Sequence, residues 1–239
     1  LESYAFNVLG CLSNTANVTA LYTAYTKRLR DEMGVKFQLV VYNKAGDYEG
    51  VINVKNTVSD SGADASSLVY WVSGAEADCA VNKSCTNKTY DGEYKVTANY
   101  KQSELETALK SGEFVFHKVR HEIRVLDDIN SLVTTTDGKG EDFKSNQTIR
   151  VLDQVGNDVA ALFNNKYLGK IQNNTSGRVS FWSDIVAYDK ELEKLQAIEN
   201  FDSAEVTVEL GNDKKSVVAV NPIQPVNCMT KLYMTVIVQ

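Results

Sequence analysis

Proline, histidine and cysteine are scarce in this 239-residue chain. The two prolines, Pro222 and Pro225, stand together near the C-terminal end, where they form a stiff, non-helical segment. The four cysteines are scattered, and none stands in a Cys-x-x-Cys pair. We therefore predict free, buried thiols, with a bridge between Cys79 and Cys85 as the alternative.

Long apolar runs are missing as well. No stretch approaches the roughly 18 apolar residues of a membrane span, and no charged-then-apolar leader opens the sequence. The net charge of −6 argues against nucleic acid or an anionic membrane as the main partner. We expect a soluble, non-secreted protein with no nucleic-acid binding and no membrane insertion. Because the sequence starts at Leu1 without Met, we also expect that residues precede it.

The usual catalytic and nucleotide-binding motifs are absent. The sequence has no Gly-x-Ser-x-Gly elbow and no Gly-Lys-Ser/Thr phosphate loop. His117 and His121 share a strand-like stretch and could bind a metal from one face, but no Asp, Glu or Cys cluster accompanies them. An ordinary surface or interdomain role is favoured for both histidines. We predict a protein that is not an enzyme and needs no cofactor.

What is present in the first half is an alternation of strand and helix patterns. This order is typical of a layered α/β domain. In the first helix the apolar spacing places Val18, Leu21, Tyr22, Tyr25, Leu29 and Met33 on the inward face. The predicted helices cover 14–33, 66–81 and 103–110, and the predicted strands cover 37–42, 51–55, 93–96, 114–119 and 122–126.

The second half has a different pattern after the polar, turn-rich segment 134–140. Long helices are predicted at 148–168 and 178–198, followed by a hairpin at 205–220, which together make an α+β domain. We predict three parts: a core domain at 1–135, a C-terminal domain at 136–225 and an arm at 226–239. The inward residues of the second helix are Val179, Trp182, Ile185, Leu192 and Leu195.

Residues 230–239 have the pattern of a β-strand and carry a single charge. Two interpretations stay open: the strand closes a sheet of its own domain, or it is an arm that completes a sheet in a neighbouring copy. Pro222 and Pro225 would be the hinge of such an arm. The predicted intersubunit residues are Leu232, Tyr233, Met234, Val236, Ile237 and Val238.

Several ordered segments resemble one family, the contractile tail sheath proteins of myophages and R-type phage-tail-like bacteriocins. The similarity extends over nearly the whole chain and does not depend on one short signature. Its segments are 1–7, 48–52, Ser67-Leu68-Val69-Tyr70-Trp71-Val72, Asn146-Gln147-Thr148-Ile149-Arg150-Val151-Leu152-Asp153, Asn165-Lys166-Tyr167-Leu168-Gly169, the Gly177-Arg178 start of the helix with Trp182, and Leu232-Tyr233-Met234-Thr235-Val236.

The resemblance implies a core with a subtilisin-like α/β fold and a C-terminal domain that ends in an arm. It implies a structural sheath subunit that polymerises helically and contracts to drive an inner tube through a target envelope. The implied partners are other sheath subunits, the tube protein, the baseplate and the tail terminator, in a virion tail or phage-tail-like particle assembled in the host bacterial cytoplasm.

The sequence departs from the family in one respect, and other interpretations stay open. Family members carry an N-terminal arm and a first core segment that this sequence lacks. Lys190 and Lys194, one turn apart, could contact acidic groups of the tube, whereas a solvated helix face is the simpler explanation. The alternative functions are an α/β hydrolase-like or binding domain and a donor-strand surface protein.

Overall fold

The computed structural model describes residues 5–238, which form two compact units. The first unit runs to Ile149 and includes the segment from Cys228 onward, and the second comprises Arg150–Asn227. These limits differ from the predicted domain boundaries after 135 and 225, which remain predictions about domains.

The first unit is built on a four-stranded parallel sheet in the order β1-β2-β3-β4. All four residues of β3 are buried. Burial of every residue, here three apolar side chains and Asn53, is typical of parallel strands that are covered on both faces. The predicted strands at 37–42 and 51–55 are confirmed. The strands are β1 (Val8–Gly10), β2 (Gln38–Tyr42), β3 (Val51–Val54) and β4 (Glu113–Phe114).

Three helices connect these strands and agree with the predicted positions. They are α1 (Ala16–Asp31), α2 (Leu68–Asp78) and α3 (Gln102–Lys110). Gly112 follows α3 in the left-handed region, at φ +67°. A Cβ atom at this position would lie 2.9 Å from the backbone of Ser131, so both conformation and space require glycine.

The buried face of α1 agrees only in part with the predicted one: Leu29 is buried, as predicted. Leu21 and Met33 are 68% and 59% exposed, and Val18 is exposed too, which corrects the prediction that all three point inward. Three threonines share the buried face with Leu29 and Arg30. Each of their hydroxyls donates to a backbone carbonyl of the preceding turn, so the buried oxygens are satisfied and the methyl groups pack. These threonines are Thr19, Thr23 and Thr26.

An antiparallel pair, β5 (Phe116–Val119) and β6 (Glu122–Val125), follows β4 as predicted. The strand predicted at 93–96 is wrong, because only an isolated bridge between Val58 and Val96 forms there. The pair and the sheet share one apolar core with α2. Its largest fully buried members include Phe114, Phe116, Leu68 and Ile52.

The second unit combines the predicted long helices with the predicted hairpin. Helix α4 (Asn146–Leu162) begins in the first unit, and it ends in a π-helical turn at Phe163–Tyr167. Helix α5 covers Thr175–Lys194. Strands β8 (Thr207–Leu210) and β9 (Val217–Val220) form the antiparallel hairpin. A second short pair joins β7 (Ile198–Glu199) to β10 (Gln224–Pro225).

The core of the second unit lies along one stripe of α5. Val179 and Leu195, both predicted to point inward, are 56% and 51% exposed. The real stripe repeats at spacings of three and four residues and includes a carboxylate, Asp189, which is fully buried. A periodicity analysis that leaves out charged residues cannot locate such a stripe. The stripe consists of Phe181, Ile185, Asp189 and Leu192, with Val186 beside it.

Candidate intersubunit interface

The C-terminal segment is described up to Val238 and forms no strand with the other described residues, 5–228. Its apolar side chains lie in solvent, so it does not close a sheet of its own domain. The first of the two interpretations is therefore not realised in the single chain. The exposed fractions are 83% for Leu232, 91% for Tyr233, 73% for Met234, 74% for Val236, 79% for Ile237 and 92% for Val238.

The chain is held in place up to the start of this segment. Pro225 pairs with Ile198 in the β7–β10 ladder, and the Val226 N–H donates to the Ala197 carbonyl at 2.9 Å. Within the first unit, the Cys228 N–H donates to Gln147 Oε1 at 3.0 Å. From Met229, which is fully exposed, to Val238, no strand pairing forms in the described chain. We call residues 229–238 the terminal segment.

These contacts bear on the proposed hinge at Pro222 and Pro225. Pro222 is exposed, whereas Pro225 is half-buried and belongs to the ladder with Ile198. Proline fixes its own φ angle, and the ladder adds a second restraint at Pro225. The role of Pro222 and Pro225 as a hinge stays a prediction.

Among the residues that the structure describes, the β8–β9 hairpin is a sheet of two strands, and each strand has one edge without a sheet neighbour. Leu210, Val218 and Val220 are 51–52% exposed on it. A two-stranded hairpin with exposed apolar side chains is marginally stable alone and gains by adding strands. It is anchored to α5 by the Trp182 indole, which donates to the Val206 carbonyl at 3.0 Å.

The two lysines predicted to contact a tube lie on the outward face of α5. Both are exposed, and the Lys194 ammonium forms an ion pair with Glu191 at 2.7 Å. Both partners of that pair are mostly exposed, so it contributes little to stability. The structure leaves Lys190 and Lys194 accessible, and their role stays a prediction.

The two histidines are not brought together with other metal-binding side chains in the described part of the chain. His117 lies in β5 opposite Arg124. Burial first, and the Arg124 charge second, lower the pKa of His117, so it is neutral at physiological pH. All four cysteines are free; Cys11 and Cys85 are buried, but Cys228 is exposed, against the prediction of buried thiols. None of the described helices is both long and apolar enough to cross a bilayer.

An α/β unit, a hairpin with open edges and an exposed apolar terminal segment are typical of a structural subunit that exchanges strands with its neighbours. Two family models match the sequence in succession. Residues 1–131 match the central domain of the phage tail sheath protein, and residues 138–239 match the phage tail sheath C-terminal domain. The chain belongs to the phage tail sheath protein family.

Individual relatives agree with this assignment. Phage-like element PBSX protein XkdK of Bacillus subtilis (strain 168) is 33% identical over an alignment of 248 positions. The alignment covers 98% of this chain and 53% of the relative. A sheath tail protein from Listeria innocua superposes with a TM-score of 0.86 at 33% identity, covering 94% of this chain and 54% of that one. The chain spans about half the length of the curated relatives it matches.

A more distant structure shows the fold alone. The helical sheath of the anti-feeding prophage, solved in its contracted state, superposes with a TM-score of 0.71 at 14% identity. The superposition covers 97% of this chain and 69% of that chain. The mixed α/β architecture is therefore retained at low sequence identity.

Proposed function

We propose that this chain is a structural, non-enzymatic subunit of a contractile tail sheath that polymerises helically around an inner tube. Family membership supports the sheath role, and one observation supports the mode of assembly. That observation is the terminal segment, whose apolar side chains are 73–92% exposed from Leu232 to Val238, apart from the intervening Thr235. An apolar segment this exposed requires a partner, since such surfaces otherwise aggregate.

The partner we propose is the β8–β9 hairpin of a neighbouring subunit. Strand addition would satisfy backbone groups at an open hairpin edge and cover its exposed valines. By strand alternation, Leu232, Met234, Val236 and Val238 share one face and would pack together. Tyr233 and Ile237 would share the other face of the added strand.

Magnitudes indicate why such an arm operates only in an assembly. Each buried apolar side chain contributes roughly 1.5–3 kcal/mol, and each ladder hydrogen bond adds about 0.5–1.5 kcal/mol net. Ordering each residue of the arm costs roughly 1–2 kcal/mol. One arm therefore binds marginally. A lattice in which every subunit donates and accepts an arm binds firmly through high effective concentration.

The proposal extends to the domains, the hinge, the partners and the contraction of the sheath. We propose that the core is subtilisin-like, that the domains divide as 1–135, 136–225 and 226–239, and that Pro222 and Pro225 form the hinge of the arm. The subunit would meet the tube protein, the baseplate and the tail terminator in a virion tail or phage-tail-like particle assembled in the host bacterial cytoplasm. Contraction would be a change between two packings of rigid units connected by such arms.

The test is assembly of the full-length sheath protein that contains this chain, observed by negative-stain microscopy. Replacing Leu232, Met234, Val236 and Val238 with Ser should abolish helical tubes. The matched control carries Lys231→Ser and Thr235→Ser, which change the same segment but none of its apolar side chains. Normal tubes from the fourfold Ser variant would overturn the role of the arm.

A further inference from the structure

Thiols and carboxylates converge in the first unit, away from the terminal segment. Glu76 lies in the last turn of α2, and Cys79 follows that helix. The loop after it returns Cys85 beneath α2, where its thiol donates to the Ala75 carbonyl at 3.4 Å. Asp128 arrives from the segment after β6. None of these groups is used in the assembly proposed above.

The donor atoms are close enough for one ion. The Cys85 sulfur, a Glu76 carboxylate oxygen and an Asp128 carboxylate oxygen all lie within 4.8 Å of one another. The Cys79 thiol is hydrogen-bonded to the Cys85 thiol, which adds a second sulfur. In a tetrahedral zinc site, neighbouring sulfur and oxygen donors are about 3.3–3.8 Å apart. Side-chain shifts of about 1 Å would therefore complete the geometry.

The ligand side chains are buried, and hydrogen bonds hold one of them in place. Glu76, Cys85 and Asp128 are only 1–3% exposed. The Asp128 carboxylate is oriented by the Cys85 N–H at 2.9 Å and by the Asn146 amide at 2.8 Å. Such second-shell hydrogen bonds hold a ligand in one orientation. Cys79 is only partly buried, so its thiol is the member of the group that solvent can reach.

The donor set selects the ion. Calcium and magnesium take oxygen ligands, whereas sulfur ligands favour zinc and other thiophilic metals. We propose that Glu76, Cys79, Cys85 and Asp128 form a binding site for Zn²⁺. Zn²⁺ binds both cysteines as thiolates, so the two thiol protons are released to solvent, which balances the step.

The bound ion would connect the end of α2 to the segment after β6. The site would be structural, because four protein ligands leave no open coordination position for a substrate. It is independent of strand exchange, and failure of the assembly proposal would leave it untouched.

The test uses the metal-free chain kept reduced and titrated with Zn²⁺ and, separately, with Co²⁺ as a spectroscopic probe. We expect about one ion per chain, a thiolate-to-cobalt charge-transfer band, and a higher melting temperature of the first unit. Cys79→Ser and Cys85→Ser should each weaken binding at least about tenfold and reduce the band. Glu76→Gln should weaken binding and keep the band.

Cys11→Ser and Cys228→Ser are the matched controls, since one removes a buried thiol and the other an exposed one. Both should bind as the parent does. The half-exposed Cys79 provides the decisive variant if Cys85→Ser fails to fold. Absence of the cobalt band in the folded parent would overturn the proposal. So would binding that survives unchanged in Cys79→Ser, because the ion would then be held elsewhere.

Discussion

The buried carboxylate of Asp189 makes the stability of the second unit depend on pH. The side chain is 0% exposed on α5, and neither of its oxygens has a hydrogen bond of good geometry in the described chain. Burial raises the pKa of Asp189 to about 6, although the neighbouring Asn221 amide lowers it somewhat. An aspartate in the unfolded chain has its ordinary pKa of 3.8.

The direction in which stability changes with pH follows from the number of protons that each state binds. Between the two pKa values the folded unit binds more protons than the unfolded chain, so its stability falls as the pH rises from about 4 to about 6 and then levels off. A shift of about two units at 1.36 kcal/mol each amounts to about 3 kcal/mol. Asp189→Asn keeps the shape and removes the charge. The variant should therefore be more stable than the parent at neutral pH, by up to about 3 kcal/mol.

The assay is urea unfolding followed by tryptophan fluorescence. The two tryptophans fall in different units, Trp71 in the first and Trp182 in the second. In a Trp71→Phe background, Trp182 reports on the second unit alone. The stability difference between Asp189→Asn and the parent should grow by about 2 kcal/mol from about pH 4.5 to about pH 7.5.

A control of opposite sign lies on the same helix. Partial burial of Asp184 favours its neutral form, but hydrogen bonds from Lys166 and Tyr167 outweigh burial and lower its pKa. Asp184→Asn should therefore cost stability above about pH 4, and that cost should shrink as the pH falls below it. If the difference between Asp189→Asn and the parent does not change with pH, the reasoning about burial is refuted.

Three further predictions test other parts of the molecule. Replacing Leu232, Met234, Val236 and Val238 with Ser should leave the melting temperature of this chain within about 2 °C of the parent, because these side chains are already exposed. Lys190→Glu with Lys194→Glu should impair growth of the full-length sheath on tubes, most clearly at low salt, and should leave folding intact. Gly112→Ala should destabilise the first unit by about 2 kcal/mol or more in urea unfolding, through its positive φ and its close contact with Ser131.

Each of these predictions has a comparison that can contradict it. A large drop in melting temperature for the fourfold Ser variant would mean that the terminal segment packs on its own chain. Unchanged growth on tubes at low salt would favour a solvated helix face for Lys190 and Lys194. For the glycine, Gly138→Ala is the matched control, since its added Cβ meets open space; equal stability of the two variants would refute the steric argument.

Local patterns in the sequence predicted most of the elements correctly. Strands at 37–42 and 51–55, the helices now called α1 to α5 and the hairpin at 205–220 follow from apolar spacing and from the glycines that end helices. The buried faces of the helices were harder to predict. In α1 the buried stripe includes three threonines, and in α5 it includes Asp189, so hydropathy alone places Leu21, Met33, Val179 and Leu195 on the wrong side.

The terminal segment shows most clearly which properties follow from the local sequence and which follow from tertiary packing. Its alternating apolar pattern was readable from the sequence, because strand periodicity is a local property of the chain. Whether the strand pairs within its own chain was not readable, because pairing depends on which edges the folded units leave open.

The sequence by itself determined the order of the elements, the family and the apolar character of residues 230–239. Only the tertiary structure decided that these side chains lie in solvent, and that Glu76, Cys79, Cys85 and Asp128 lie together. The physical reason is the same in both cases. Contacts between residues distant in the chain arise when whole elements pack, and no local pattern records them.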